Sequence, residues 1–486
     1  MQYIDGLLNN NLAIGTSLYD ERQNIQSKLD LIYTKKSYAA FIRSRSKWIE
    51  EGERSSSYFL GLEKKRQSHN YISKLSDEQG TQYTQDKDIL NHCATYYTDL
   101  YNSRKPKKSN IEKYLNEMKN LPALTYENQL LCEGMITKLE CEKAIKIMKN
   151  NKSPGSDGLT IEFYKTFWPD ISDILIDSFN ESFNLGHLSY SQNVSILSLI
   201  FKKGDPEKIK NYRPISLTNV DYRILAFILA QRMQNVIGTI VSSNQTGYIK
   251  GRFIGTNVRA ILNICEYIEN NNSSGILLQL DFEKAFDSVE WSFLISVLKK
   301  YNFGENFINW IKVLYNKPEL GIKNNGYFSN YIKIRRGIRQ GCPVSALLFI
   351  LIIETLAHSL QTEKSLLGVS VELNNINFEY KCFQYADDIS LFLLNEYQIE
   401  KALKIIENFG NVAGPILNRS KTEGILLGCL KDKENILEMT NIKWTKDPVR
   451  CLGIYIGNDK ERCDYFNWSE KLTKIQSELH SWKKDH

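Results

Sequence analysis

The chain has 486 residues, of which 42% are hydrophobic and 24% charged. That composition excludes a disordered or collagen-like polypeptide and is long enough for a core that needs no disulfides. Lysine and arginine number 62 against 56 acids, a net charge of +6, too mild to mark a dedicated nucleic-acid module, so local clustering must reveal the partners.

The first 150 residues read as helical, polar and charge-rich, with Lys35, Lys36, Arg43, Arg45, Lys47 and Arg54 outweighing Glu50, Glu51 and Glu53. RKPKK, Arg104 to Lys108, reads as an exposed basic loop, either solvated surface or a phosphate contact. From Asn150 the texture changes. NKSPGSDGLT is a loop of tight turns, and a helical stretch follows to about Phe183. VSILSLIFKKGD is an apolar strand ending in lysines. A helix from about Val220 to Gly238 carries apolar residues on one face. Asn270 to Gly275 is a polar turn, and GILLQLD is a short buried strand.

Asp287 and Glu290 are spaced like an N-cap and its N3 partner. They precede a helix carried by Val289, Phe293, Leu294, Val297, Leu298 and Tyr301 and stopped near Gly304. FQYADDISLFLL reads as strand, tight turn, strand. Trp468, Leu472, Ile475, Leu479 and Trp482 define a C-terminal amphipathic helix. Strands and helices interleave irregularly, which points to an α+β fold more than to a doubly wound sheet.

The 9 cysteines form no CxxC pair and the 6 histidines no HExxH, so a disulfide scaffold and a zinc hydrolase lack support. The thiols read as reduced and the chain as intracellular, since MQYIDGLLNN is not a signal peptide. The longest apolar run, Ala346 to Ile353, is closed by Glu354, whereas a membrane span needs about twenty residues.

Two aspartate sites carry the chemistry. Asp281 closes the strand ILLQLD, and Asp387 and Asp388 sit at the turn of YADD. Each alone could merely cap a turn. Converged at the ends of neighbouring strands, they would repel one another, and a hard divalent cation relieves that repulsion. Magnesium takes oxygen ligands, commonly one or two carboxylates plus substrate phosphates. Two such ions about 4 Å apart stabilise both attacking and leaving oxygens in nucleotidyl transfer.

LDFEKAFDSV, then RRGIRQGCPVSALLF, then QYADD resembles the palm of a reverse transcriptase, closest in order and spacing to the non-LTR retrotransposon (LINE-type) enzymes. NKSPGSDGL resembles that family's loop ahead of the fingers, and LIFKKGDPEKIKNYRPISL its fingers motif. LNRSKTEG resembles the motif after the catalytic hairpin and CLGIYIG the primer-grip strand. Upstream, WIEEGERSSSYFLGLEKKR resembles the stretch before the fingers. The resemblance runs from about Trp48 to Gly457.

It implies an α+β right-hand polymerase fold with a helical N-terminal extension. Residues 1–120 would be that charge-rich extension and 121–275 the fingers with the start of the palm. Residues 276–457 would be the palm, and 458–486 the beginning of an incomplete helical thumb. The implied metal ligands are Asp281, Asp387, Asp388 and the carbonyl of Phe282, holding two Mg2+ ions for which Mn2+ can substitute. The three aspartates are also the implied catalytic residues. Phe286 matches the position that stacks under the incoming sugar and excludes a 2′-hydroxyl, or is a core phenylalanine. Arg213 matches the fingers arginine on the triphosphate, its planar fork suited to phosphate. Lys202 and Lys203 are either its helpers or solvated surface.

Gln340 and Gly341 match the motif that packs on the incoming nucleotide and template, and glycine there permits close backbone approach. Lys333, Arg335, Arg336 and Arg339 ahead of it read as a phosphate track. Lys421 matches the lysine that protonates departing pyrophosphate, or is a surface lysine. Leu452 and Gly453 match the primer grip.

The implied activity is RNA-directed DNA synthesis, with an RNA template, a DNA primer or target and deoxynucleoside triphosphates as partners and no membrane. Neither endonuclease type found in such elements fits around the polymerase motifs, and no zinc knuckle follows them, so target cleavage is expected from elsewhere. Genomic integration implies nuclear access alongside a cytoplasmic RNA–protein particle. Three rivals remain open. They are an RNA-directed RNA polymerase, opposed by Phe286; a group II intron or retron enzyme, opposed by the NKSPGSDG and WIEEGERSS stretches; and a truncated, non-catalytic RNA-binding relic, favoured only by the short thumb.

Overall fold

The computed structural model describes residues 71–373, 375–433 and 440–484, together with 24–25 and 27–28. The basic stretch from Lys35 to Arg54 and the WIEEGERSSSYFLGLEKKR segment lie outside the described residues. The chain divides into two compact units. The first comprises Met1–His92, Leu199–Arg213 and Lys323–Phe328, and the second Cys93–Ser198, Pro214–Ile322 and Ser329–His486.

The first unit buries Ile72, Leu75, Ile89 and Leu90 and carries a set of specific polar contacts. Leu75–Ser76 pairs antiparallel with Gln82–Tyr83, and Tyr83 stacks on His92 at 4.7 Å. Asn325 does the work of a missing backbone partner. Its side chain accepts from the Ile72 N–H, donates to the Ile72 carbonyl and donates to Asp86. The segment after the Val194–Phe201 strand is fastened by the Lys208 ammonium on the Asp77 carbonyl at 2.9 Å.

The second unit is built on a five-stranded sheet in the order Cys382–Tyr385, Asp388–Leu393, Ser274–Leu280, Glu423–Gly428, Lys443–Trp444. All pairs are antiparallel except the last. The strand ILLQL is apolar at successive positions because both sheet faces are covered. Ile276, Leu278 and Leu280 enter one core, and Leu277 enters another. Side chains alternate across a strand, so a doubly covered sheet needs apolar residues in both phases. Phe392 follows Leu277, whereas Ile389, Leu391 and Leu393 follow Leu278. The helix Ile254–Asn270 covers the smaller core through Ile261, Ile264 and Ile268.

The larger core surrounds the helix Ser345–Thr362. Its apolar length would suit a membrane span on composition alone, but Leu347 to Ile353 are buried among core residues. The helix Val220–Gln234 was expected to be apolar on one face only. It is instead buried around most of its circumference, with Tyr222, Ile224, Leu225, Ile228, Leu229 and Met233 all in the core. Its one buried cation, Arg232, is fully engaged. Both carboxylate oxygens of Glu140 accept from it, at 2.7 and 3.0 Å, as do the carbonyls of Cys132, Gly134 and Met135. Glu140 also closes a capping box with Thr137 at the start of Lys138–Ile147.

The helix Trp168–Leu185 carries Pro169 in its first turn and ends at Gly186 with φ 74°, the expected start and stop chemistry. The helix expected after Asp287 begins later, at Trp291, and neither Asp287 nor Glu290 caps it through a side chain. Both carboxylates are taken up by tertiary contacts instead. Glu290 accepts from the Ser103 hydroxyl at 2.6 Å and the Arg104 N–H at 2.9 Å. The RKPKK segment is exposed around Arg104, Lys105, Lys107 and Lys108. At the far end, the helix Lys460–Lys484 forms as expected, with Trp468, Leu472, Ile475 and Leu479 all more than half exposed.

Candidate active site

The strands Cys382–Tyr385 and Asp388–Leu393 form a tight hairpin in which Tyr385 pairs with Asp388. Ala386 and Asp387 are therefore the two turn residues. Ala386 has φ 54°, a value for which a two-residue hairpin turn ordinarily recruits glycine. Strain of about 1 kcal/mol at an alanine there must be held by its surroundings. Gln245 supplies the hold. It is fully buried, and its carboxamide oxygen accepts from the Ala386 N–H at 3.0 Å and the Gly247 N–H at 2.9 Å.

Around this hold the segment Asn244–Gly247 lies against the hairpin. Gln384 donates its N–H to the Asn244 carbonyl, and the Gln384 carbonyl accepts from the Thr246 N–H, each at 3.0 Å. The Asn257 amide donates to the carbonyls of Asn244 and Gln384. A Cβ on Gly247 would lie 2.6 Å from the Ala386 nitrogen, so only glycine lets the two backbones approach so closely. Behind them, Glu354 of the central helix accepts from the Ser242 N–H at 2.9 Å and from Gln384 at 3.5 Å. Burial pushes the Glu354 carboxyl up to about 7, against the pull of those two donors and of Arg252.

Asp281 lies at the same end of the sheet as this turn. Ile389 pairs with Leu280, so Asp388 and Asp281 each adjoin that last pair, and Asp387 is next to Asp388 in the turn. The main chain of Asp281 is held on both sides. Its carbonyl accepts from the Asn418 N–H at 2.7 Å, and its N–H donates to the Thr422 hydroxyl at 3.3 Å. The turn Asn418–Thr422 is itself closed, as the Thr422 hydroxyl and N–H both donate to the Asn418 carbonyl. Next in the chain, Phe282 pairs with Leu417. Asp281 and Asp388 are exposed and Asp387 is half-buried, so carboxylate oxygens stay accessible at a rigid sheet edge.

The donor chemistry there fits a hard divalent cation. Among the described residues, however, no three His, Cys, Asp or Glu side chains close into a ready-made cage.

Phe286 is half-buried and stacks on Phe349 of the central helix at 4.2 Å, with 17° between the rings. One ring face is thereby fixed from below. Gln340 is half-buried and Gly341 exposed with φ 105°. Gln340 donates its side-chain amide to Asp287 at 2.8 Å, and Tyr101 donates its hydroxyl to the other Asp287 oxygen at 3.0 Å. Asp287 was expected to be a helix cap. It is a buried tertiary anchor instead, its carboxyl pushed up to about 7 by burial against the lowering effects of Lys284, Tyr101 and Gln340.

The expected phosphate track is reduced. Lys333 and Arg335 are exposed, but Arg336 and Arg339 are buried. Arg336 donates to the Leu100 carbonyl and lies 3.6 Å from Glu290. Arg339 donates to the Asn193 carbonyl and sits over the Tyr222 ring at 4.6 Å. Their sequence signal was charge without acids nearby. The acid and carbonyl partners come from distant segments, which charge counting along the chain does not see.

Lys421 is exposed in the turn that holds Asp281. Leu452 and Gly453 form the two-residue turn of the hairpin Val449–Cys451 and Ile454–Ile456, with φ 49° and 90°, a type I′ pattern. Arg213, Lys202 and Lys203 are exposed in the first unit. The Lys202 N–H donates to the Asn211 carbonyl at 3.0 Å.

The residues that sequence reasoning did not single out are the ones that hold the others still. They are Gln245, Gly247, Asn257, Glu354 and Gln384 around the hairpin, and Asn418 and Thr422 around Asp281. One signal was present: Glu354 interrupts an otherwise apolar run, and a carboxylate in a core helix needs polar partners.

The sequence pattern described as reverse transcriptase (RNA-dependent DNA polymerase) matches residues 200–456. Over 444 residues the chain is 31% identical to the transposon TX1 uncharacterized 149 kDa protein of Xenopus laevis, covering 91% of this chain and 33% of that protein. It is 29% identical over 318 residues to a retrovirus-related Pol polyprotein from a type-1 retrotransposable element R2 of Popillia japonica, covering 63% of this chain and 42% of that one. A probable RNA-directed DNA polymerase from transposon X-element of Drosophila melanogaster is 27% identical over 235 residues, covering 46% of this chain and 25% of its own. The chain thus matches less than half the length of each of these relatives.

Proposed function

The chain belongs to the reverse transcriptase (RNA-dependent DNA polymerase) family, and on that premise we propose that it is the polymerase segment of a non-LTR retrotransposon protein. It copies RNA into DNA by adding deoxynucleotides to a primer 3′-hydroxyl. What supports this reading is the register between Ser274–Leu280 and Asp388–Leu393, in which Ile389 pairs with Leu280, so that Asp281 and the Asp387–Asp388 turn lie at the same end of the two strands.

Asp281, Asp387 and the Phe282 carbonyl would hold two magnesium ions, with Asp388 near the primer end. The ions, when bound, lower the pKa of the primer hydroxyl and neutralise the triphosphate. The protein's own part is positioning. The rigid edge built from Gln245, Asn418 and Thr422 keeps the carboxylates in place, so little reorganisation accompanies the reaction. Phe286, braced on Phe349, packs under the incoming sugar and excludes a 2′-hydroxyl. Gln340 and Gly341 contact the nucleotide and template. Arg213 binds the triphosphate with help from Lys202 and Lys203, Lys421 gives a proton to departing pyrophosphate, and the Leu452–Gly453 turn meets the primer backbone.

Sequence is read by base pairing, while the protein reads backbone charge and duplex shape. Strand cleavage of the target is assigned to a different segment or protein, and the reaction's site to the nucleus. The test is extension of a DNA primer on an RNA template with deoxynucleotides and magnesium. Templated extension supports the reading, and template binding without extension by the folded chain opposes it.

A further inference from the structure

The carboxylate of Asp287 is 1% exposed and has two donors, the Tyr101 hydroxyl on one oxygen and the Gln340 side-chain nitrogen on the other. A carboxylate oxygen can only accept from an amide nitrogen, so this bond decides which end of the Gln340 amide faces inward. The main chain of Gln340 is held as well, because its carbonyl accepts from the Ser216 N–H at 3.0 Å. The preceding loop is docked on the same short segment as Asp287. The Gly337 N–H donates to the Val289 carbonyl at 2.7 Å and the Ile338 N–H to the Phe286 carbonyl at 2.8 Å. A Cβ on Gly337 would lie 2.6 Å from the Asp287 carbonyl oxygen. While Asp287 is ionised, Gln340 therefore cannot turn its nitrogen outward without leaving a buried carboxylate oxygen unpaired, an expensive arrangement.

We infer that Asp287 is a positioning residue for nucleotide binding. It locks Gln340 so that the carboxamide oxygen is presented as an acceptor to a hydroxyl or amino donor of the incoming deoxynucleotide. This rests on the polymerase reading above. The same contacts make the segment Phe286–Val289 a common support for two nucleotide-facing groups, the Phe286 ring and the Gln340 amide.

The test is steady-state primer extension by the full chain, with KM and kcat measured separately. Asp287→Ala raises KM for deoxynucleotide roughly tenfold or more, the size expected for a lost hydrogen bond to a charged group, with kcat nearly unchanged. Asp287→Asn stays near wild type, because its side-chain oxygen still accepts from Gln340. A second pair does not depend on Asp287→Ala folding. Gln340→Glu sets two carboxyls against each other and raises KM, and adding Asp287→Asn restores it, since the asparagine nitrogen then donates to the glutamate. Unchanged KM in Asp287→Ala, or no rescue of Gln340→Glu by Asp287→Asn, would overturn the inference while DNA synthesis by the wild-type chain stands. Absence of synthesis by the wild-type chain would overturn the polymerase reading itself.

Discussion

The carboxamide oxygen of Gln245 accepts the N–H of Ala386 at 3.0 Å, across 141 residues of sequence. This single contact fastens the turn that carries Asp387 to a segment outside the hairpin. It also shares its acceptor with the Gly247 N–H, so one side chain fixes two backbones. An alanine held at positive φ is not self-supporting. The brace is what keeps the aspartate pair at the sheet edge in one arrangement.

Replacing Gln245 by alanine leaves two buried N–H groups without acceptors. Each unmade bond of this kind costs about 1–3 kcal/mol, so Gln245→Ala is expected to unfold at a lower temperature and denaturant concentration. It is also expected to lower kcat for incorporation more than it raises KM, since the displaced group is the carboxylate and not the nucleotide contact. Thermal unfolding with single-nucleotide incorporation measures both.

Phe286 rests on Phe349 with one face covered, so trimming its side chain opens space on the other face without removing its support. Phe286→Val should raise the use of ribonucleotides relative to deoxynucleotides by roughly up to a hundredfold, the scale on which a pocket rejects a single added hydroxyl. Competitive incorporation from mixed nucleotides gives the ratio directly. An unchanged ratio would remove Phe286 from the selectivity mechanism.

Glu354 gives a pH signature. Its carboxyl is pushed up by burial from 4.5 to about 7. Between those values the folded chain holds a proton that the unfolded chain has lost. Stability from this group is therefore fully present below about pH 4.5 and falls as pH rises toward 7, by roughly up to 3 kcal/mol in all. Glu354→Gln keeps an oxygen for the Ser242 N–H and cannot ionise. It is expected to reduce the slope of that part of the stability–pH curve, the remainder coming from Asp287, whose carboxyl is likewise pushed up to about 7, as read by urea midpoints from pH 4.5 to 8.

Arg232 is the corresponding test of the helical region. It is buried, bidentate on Glu140 and bonded to three carbonyls. Removing one partner of such a pair typically costs about 3–5 kcal/mol. Arg232→Ala should therefore be among the most destabilising single changes, whereas cutting an exposed pair such as Lys108 with Glu112 should shift stability by less than about 0.5 kcal/mol. Chemical denaturation of the two variants compares them.

The sequence was legible where a local pattern is also the cause of the structure. The apolar run GILLQL is a strand, YADD is a two-residue turn, and the helical stretch expected to about Phe183 ends at Leu185. It was misleading where side chains choose between a local and a distant partner. Asp287 and Glu290 have the spacing of a helix cap, but Tyr101, Gln340, Ser103 and Arg104 capture them. Arg336 and Arg339 look like a basic surface and are buried for the same reason. The clamp around Asp281 lay unread inside the motif LNRSKTEG. Asn418 acts there through its main chain, and a main-chain donor leaves no trace in side-chain identity.

In the proposed mechanism Asp281 and the Asp387–Asp388 turn form one metal-dependent centre for adding deoxynucleotides to a primer. The most direct measurement is single-nucleotide incorporation on a primed RNA template across a magnesium titration, comparing wild type with Asp281→Asn and Asp387→Asn. Each substitution keeps shape and removes charge. Magnesium-dependent incorporation is expected from wild type and a loss of roughly a thousandfold in either variant, several kcal/mol of metal-centred stabilisation, with unfolding temperature and template binding retained. Incorporation that survives in either variant at the wild-type rate, or that proceeds without a divalent ion, would contradict it.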